Sequence, residues 1–173
     1  MTTTGKDVFR RNGFEVSWAS ATAKIDNDEF FGFTEVNYEE KLDRAFTRGM
    51  GKDGAPRGTT RGQYSVEGSS LKLYKSSALA LIEKLCQKSR DGKSWGQVPF
   101  FFSLQYVEEG NFGEEGISIT EELYGCKAAG RKASVAQGPE GLVDEIPITV
   151  MYAKLTTPNI AGMTLFDNRQ RRF

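Results

Sequence analysis

Six glutamates stand in three adjacent pairs, Glu108-Glu109, Glu114-Glu115 and Glu121-Glu122. Paired carboxylates are the arrangement here with residue types suited to general acid–base work. Neighbouring residues of a strand point to opposite faces, however, so no adjacent pair converges on one substrate. The chain contains no histidine, which removes Ser-His-Asp and Cys-His catalysis and histidine metal sites together. Cys86 and Cys126 lie far apart, fit no metal spacing and read as small hydrophobes of a reducing compartment. A carboxylate hydrolase on a jelly-roll sandwich would need two buried acids converging in a cleft. These residues therefore predict no enzyme, no cofactor and no metal.

A second cluster with the composition of a binding site is the glycine-rich stretch Gly49–Gly62, GMGKDGAPRGTTRG. It lacks the phosphate-loop spacing that ends in Gly-Lys-Ser/Thr, and a strand follows it rather than a helix, so no helix N-terminus is present to hold an anion. Arg57 and Arg61, with Thr59 and Thr60, have the chemistry to touch phosphates. No recognition helix or aromatic-interleaved basic stripe accompanies them. A loop of this length costs closure entropy and returns little within the monomer. The expectation is that something outside the monomer orders it.

The elements that position these residues follow from periodicity. A chain of 173 residues with 38% hydrophobic and 27% charged residues fits one soluble domain. No apolar run approaches the ~20 residues of a membrane helix, and the N-terminus has no signal-type apolar core, which predicts folding in a cytoplasm. Residues 1–13 read as an arm. Phe14, Val16 and Trp18 alternate as a half-buried strand, continuing weakly to Ile25 before the turn cluster Asp26-Asn27-Asp28. The next strand sets Val36, Tyr38 and Leu42 against a polar face of Glu35, Asn37, Glu39, Lys41 and Asp43. After Tyr64 and Val66 the apolar phase shifts at Gly68 to Leu71 and Leu73, which predicts a bulge. The period then changes to helical, with Ser76 or Ser77 as N-cap, Ala78, Leu79, Ile82, Leu85 and Cys86 as the apolar stripe, and Asp91-Gly92 as the stop. Strands follow at 98–107 and 117–124, with a bend at Gly125-Cys126, and a last strand runs from Leu142 to Tyr152. About seven strands and one helix predict a mainly β fold: two packed antiparallel sheets, as a sandwich or barrel, with one flanking α-helix.

Acidic and basic residues balance at 23 each, so bulk charge points to neither nucleic acid nor membrane. Their distribution is uneven. Lys41, Arg44, Arg48, Lys52, Arg57 and Arg61 face only Asp43 and Asp53 between positions 41 and 61, whereas Gln97–Gly125 carries six glutamates and no Lys or Arg. Two solvated loops of opposite sign is one reading. The sharper one is that a basic loop on one copy meets an acidic surface on the next, a head-to-tail contact that builds rings or filaments.

The order of these features resembles phage tail tube proteins of contractile-tailed phages. The residues that carry the resemblance are the Phe14–Trp18 strand, the loop closing on Arg57-Gly58-Thr59-Thr60-Arg61-Gly62-Gln63-Tyr64, Leu71-Lys72-Leu73-Tyr74 leading into the helix Ser77–Lys88, Gln97-Val98-Pro99-Phe100, Leu123-Tyr124-Gly125-Cys126, and the closing strand Glu145–Lys154. It covers about residues 14–156. The resemblance implies a single tube domain over 1–173, with a fold like that of type VI secretion tube proteins, an inter-subunit loop at 49–62 and a C-terminal extension at 157–173. It implies hexameric rings stacked into a hollow conduit for genome delivery, with sheath, tape-measure and baseplate proteins as partners. DNA would pass only in transit, no membrane would be entered by this chain, and the site would be a virion tail assembled in the host cytoplasm. The alternative is the tube of a type VI-like or phage-derived contractile injection system. On this reading Arg48, Lys52, Arg57, Thr59, Thr60 and Arg61 make the inter-ring contact, and Glu108, Glu109, Glu114 and Glu115 are its acidic counter-surface. A lumen that conducts DNA must avoid phosphate-binding patches, so Glu35, Glu39, Asp43, Glu121 and Asp144 are expected to line a negative lumen. Arg169, Arg171 and Arg172 form a basic tip of open role.

Overall fold

The structure, a computed structural model, describes residues 21–49, 54–108 and 117–166. The Phe14–Trp18 strand, the 1–13 arm, Lys52, Glu109, Glu114, Glu115, Arg169, Arg171 and Arg172 lie outside the described residues. In chain order the elements are β1 (Ala21–Ile25), β2 (Asp28–Phe30), β3 (Phe33–Asp43), β4 (Phe46–Arg48), β5 (Pro56–Thr59), β6 (Gln63–Tyr74), α1 (Lys75–Lys88), β7 (Phe100–Glu108), β8 (Ile117–Ala128), β9 (Lys132–Ala133), β10 (Val143–Thr149) and β11 (Tyr152–Thr156).

The fold is mainly β with one helix, as the alternation predicts, and its layers arise in a specific way. Nine strands form one antiparallel sheet in the order β2-β1-β7-β8-β10-β6-β3, with β11 also on β8 and β9 on β10. In that order β3 is four strands from β7, yet Phe33 of β3 meets Phe102 of β7 edge-on, ring centroids 5.4 Å apart. Only a sheet folded over on itself brings them together. The second sheet is the small ribbon β4-β5, not a packed layer.

Between the layers lie Ile25, Leu71, Leu73, Phe102, Leu123, Cys126 and Ile146, all at most 1% exposed. Removing a side chain such as Phe102 from a core of this kind costs about 3–5 kcal/mol. Register slips bend the sheet so that it closes over this core, and two of them fall at glycines. Gly68, at φ +61°, falls where the β3–β6 register slips between Asn37 and Glu39, as the phase shift predicts. Gly125, at φ +65°, falls where the β7–β8 register slips between Phe100 and Phe102. The expected last strand is divided at Val150-Met151 into β10 and β11, which share β8 as partner, with Ile148 opposite Ala128 and Tyr152 opposite Tyr124.

The helix differs from expectation in two respects. It begins at Lys75, with Tyr74 at the N-cap and no side-chain capping bond. Ser76 and Ser77 therefore lie inside the first turn. The cause is strand pairing: Tyr74 is still held in the ladder opposite Val143, so the chain turns helical directly at the end of β6. The buried stripe is Ala78, Leu81 and Leu85, whereas Leu79 is 43% exposed. Two lysines one turn apart then grip the β1–β2 turn. Lys84 Nζ donates to Ile25 O at 3.1 Å and Asp28 Oδ2 at 2.8 Å, and Lys88 pairs with Asp26.

Candidate interaction surface

The basic stretch is more ordered than a free loop. β3 and β6 pair as far as Asp43 opposite Gln63. The ladder then breaks, bridged by Thr60 N donating to Ala45 O at 2.8 Å and Ala45 N donating to Thr60 Oγ1 at 2.9 Å. Beyond it, β4 and β5 pair antiparallel, with Phe46 opposite Thr59 and Thr47 opposite Gly58. Gly62 marks the departure point at φ +93°, where an added Cβ would lie 2.9 Å from Asp43 O. Only glycine fits there.

Every residue of β4 and β5 is exposed. A two-stranded ribbon without a buried face is marginal in water. Arg48, Arg57, Thr59, Thr60 and Arg61 all stand on or beside it and are exposed. Among the described residues no carboxylate pairs with Arg44, Arg48, Arg57 or Arg61. A cavity of about 870 Å³ opens at the ribbon's base, lined in part by Arg44, Arg61, Tyr64 and Phe166.

A second surface adjoins it. β3 is the last strand on its side of the sheet, so its outer row of N–H and C=O groups has no strand partner among the described residues. An unpaired edge of this length is a template for another chain. Its polar face carries Glu35, Glu39, Lys41 and Asp43. Lys72 Nζ donates to Glu35 Oε2 at 2.6 Å and Asn37 Nδ2 to Glu35 Oε1 at 2.6 Å. These two bonds hold the Glu35 carboxyl below its ordinary range, Lys72 first. Lys41 lies between Asp43 at 3.4 Å and Glu67 at 3.8 Å. Glu39 and Asp43 are exposed.

Two of the acids expected to line a negative lumen turn inward instead. Asp144 is 0% exposed, and its Oδ2 accepts Nε and Nη2 of Arg131 at 2.9 and 2.6 Å. It lies on the same side of β10 as Ile146 and Ile148, which are also buried. Glu121 sits between Ile119 and Leu123 on the inward side of β8 and accepts the Tyr38 hydroxyl at 2.9 Å. Burial, then the negative charge of Glu121, drives the Tyr38 phenol far above its usual value. Glu108 ends β7 opposite Ile117.

Sequence reasoning misses an aromatic stripe on the outer side of β8 and β11. Phe101 and Tyr124 rings lie 5.0 Å apart, Tyr124 and Tyr152 stack at 4.7 Å and 8°, and Phe166 bridges Tyr152 at 6.3 Å to Tyr64 at 4.5 Å. Lys154 Nζ stands 5.1 Å from the Tyr124 centroid. The signal was present in the alternation that sets Tyr124 beside Glu122, but the register needed to align the rings is tertiary. Burial lifts the Cys126 thiol to about 12, leaving it protonated. Among the described residues no group of His, Cys, Asp or Glu is arranged to hold a metal ion, and no helix is long and apolar enough to cross a membrane.

No protein-family model matches this sequence, and no curated protein matches it. Solved structures share its fold. A chain of the anti-feeding prophage baseplate aligns over 79% of this chain and 90% of its own, with a TM-score of 0.55 and 10% identity. A chain of the PVC sheath/tube terminator, from an extracellular contractile injection system in its extended state, aligns over 84% and 99%, with a TM-score of 0.54 and 12% identity. The crystal structure of an Hcp protein aligns over 82% and 94%, with a TM-score of 0.50 and 11% identity. The fold is thus the Hcp-like fold that recurs among contractile injection particles.

Proposed function

We propose that this chain is a structural tube subunit that assembles with copies of itself into the hollow tube of a contractile-tailed phage or a related injection particle. The observation that carries the proposal is the exposed ribbon β4–β5, with four arginines lacking carboxylate partners among the described residues, beside the unpaired edge of β3. Neither feature stabilises a monomer, and both are satisfied by another copy. The shared fold supports the same reading.

In detail, the chain is a single tube domain forming hexameric rings that stack, with residues 49–62 making the inter-ring contact through Arg48, Lys52, Arg57, Thr59, Thr60 and Arg61. Glu108, Glu109, Glu114 and Glu115 supply acidic counter-surface. Glu35, Glu39 and Asp43 turn toward the lumen, which DNA crosses without stable contact. Sheath, tape-measure and baseplate proteins complete the particle, located in the tail and assembled in the host cytoplasm. The role is non-enzymatic.

The similar solved structures come from injection particles, which favours a second reading as the tube of such a particle, with effectors rather than a genome as cargo. Genes for sheath and tape measure beside a capsid support the first; genes for secretion components support the second.

Negative-stain microscopy of the purified chain tests assembly itself. Rings or tubes are expected. The double substitution Arg57→Glu/Arg61→Glu is expected to leave the fold intact and abolish stacking; a uniformly monomeric wild type at high concentration sinks the proposal.

A further inference from the structure

Phe31 is 75% exposed and Phe46 64% exposed, the two most exposed phenylalanines among the described residues. They lie at opposite ends of the β3–β6 pair. Phe46 opens the ribbon just beyond Asp43–Gln63, whereas Phe31 sits in the β2–β3 connection, next to Gly32, whose O accepts Tyr74 N at 2.9 Å at the far end of β6. The eleven steps of β6 between Gln63 and Tyr74 span roughly 36 Å. Within one chain the two rings cannot meet.

The surroundings of Phe31 are built to receive a side chain. It borders a groove of about 230 Å³, whose apolar lining includes Ala21, Ala23, Phe33 and Leu104 and whose rim carries Glu29. That is below the 300–1,000 Å³ typical of small-molecule pockets and suits one inserted ring. Glu29 is exposed and has no ion pair among the described residues, although Lys24 is its cross-strand neighbour. Beside Phe31 stands Tyr74, 47% exposed. Its ring is slotted against two glycines: a Cβ on Gly141 would lie 3.2 Å from it and one on Gly32 3.9 Å. A tyrosine at an N-cap that caps nothing, held rigid and half in water, has the character of an interface anchor.

We infer that Phe46, at the base of one copy's ribbon, inserts into the groove beside Phe31 at the opposite end of a second copy, with the ribbon's arginines facing Glu29. The occupant is a second copy because the ribbon supplies what the groove lacks, an aromatic ring flanked by positive charge. Because the two halves of the contact are different surfaces, the association is heterologous and repeats head to tail. This rests on the self-assembly reading above and adds Phe31 and Glu29 to the counter-surface proposed there.

The test is a double-mutant cycle on the concentration at which the full chain polymerises, read by pelleting, for wild type, Phe31→Ala, Phe46→Ala and the double variant. Both side chains are exposed, so unchanged melting curves are expected. Each single substitution is expected to raise the critical concentration about tenfold and the double by about the same factor, because both remove one contact. A single variant that polymerises like wild type overturns the inference, and so do effects that multiply to about a hundredfold, since the two rings then act at separate contacts. Insertion of the chain's own N-terminal residues into the groove would appear as an effect of Phe31→Ala alone and overturns it too. Failure of the wild type to polymerise at all refutes the tube reading itself.

Discussion

Asp144, with no solvent exposure, receives two hydrogen bonds on a single carboxylate oxygen from Arg131, whose side chain is 31% exposed. The pair ties the chain ahead of β9 onto β10, where Lys132 lies opposite Glu145. Its other oxygen, Oδ1, has no partner among the described residues, so the arginine alone compensates a buried charge. Removing it leaves that charge stranded. Arg131→Met is expected to cost on the order of 3 kcal/mol in urea unfolding, the low end for a broken buried pair because the arginine is partly solvated. Arg131→Met/Asp144→Leu should recover most of that loss. A double variant no better than the single would show that the pair's geometry, not its charge, holds the segment.

Asp26 joins three elements. Its Oδ1 accepts Phe101 N at 2.9 Å, its Oδ2 pairs with Lys88, and its N donates to Phe101 O at 2.9 Å. Burial opposes its ionisation, but the Lys88 bond, the Phe101 N–H and the charges of Lys88 and Lys84 outweigh it and hold the carboxyl below its reference value of 3.8. A depressed folded value means the stabilisation is complete above about pH 4 and disappears as pH falls through the folded value. Asp26→Asn keeps the left-handed turn, where Asp26 has φ +51°. It should cost on the order of 1 kcal/mol at neutral pH, with the gap from wild type closing below pH 4 in acid-unfolding curves. A gap that stays constant with pH would mean the carboxylate's charge is irrelevant.

Much of this architecture was legible because alternation survives burial. Phe100, Phe102 and Leu104 on β7 and Ile146 and Ile148 on β10 fall on the buried side, where period two puts them. The same alternation sets Glu121 between Ile119 and Leu123, so its inward direction was readable; its partner was not, since Tyr38 lies on another strand, 83 positions away. Asp144 was misjudged by residue type when its neighbours Ile146 and Ile148 already gave its direction. The helix stripe is right at Ala78, Leu85 and Ile82 and errs at Leu79, because Leu79 and Leu81 offer two registers and the core selects Leu81. Exposed Phe31 and Phe46 carry no local signal at all. Only the β3–β6 register separates them.

Gly125 bends β8 at φ +65°, and a Cβ there would come within 2.6 Å of Met151 Sδ and 3.1 Å of Met151 Cβ. Met151 is 69% exposed, so its sulfur can swing away, but the backbone conformation cannot be avoided. Gly125→Ala is therefore expected to cost about 1–2 kcal/mol from left-handed strain, with Met151→Ala relieving only the smaller steric part. Calorimetry of the single and double variants checks this. Full recovery in the double would assign the cost to the clash instead.

Tyr124 occupies the centre of the aromatic stripe, stacked on Tyr152, and its hydroxyl donates to Glu122 Oε2 at 2.6 Å. The bond to Glu122, followed by burial and the carboxylate's charge, pushes its phenol from 10.0 up to about 12. A raised folded value means that the contribution to stability is fully present below the unfolded value near 10 and is lost as pH rises through 12. Ionisation would set a phenolate against the Glu122 carboxylate, so the stripe should loosen in that window. Glu122→Gln keeps an acceptor and removes the charge. The variant's Tyr124 should ionise at lower pH than wild type in an alkaline ultraviolet titration, with its unfolding limb beginning earlier. Identical titration curves would mean that burial among the neighbouring rings, rather than Glu122, governs the phenol.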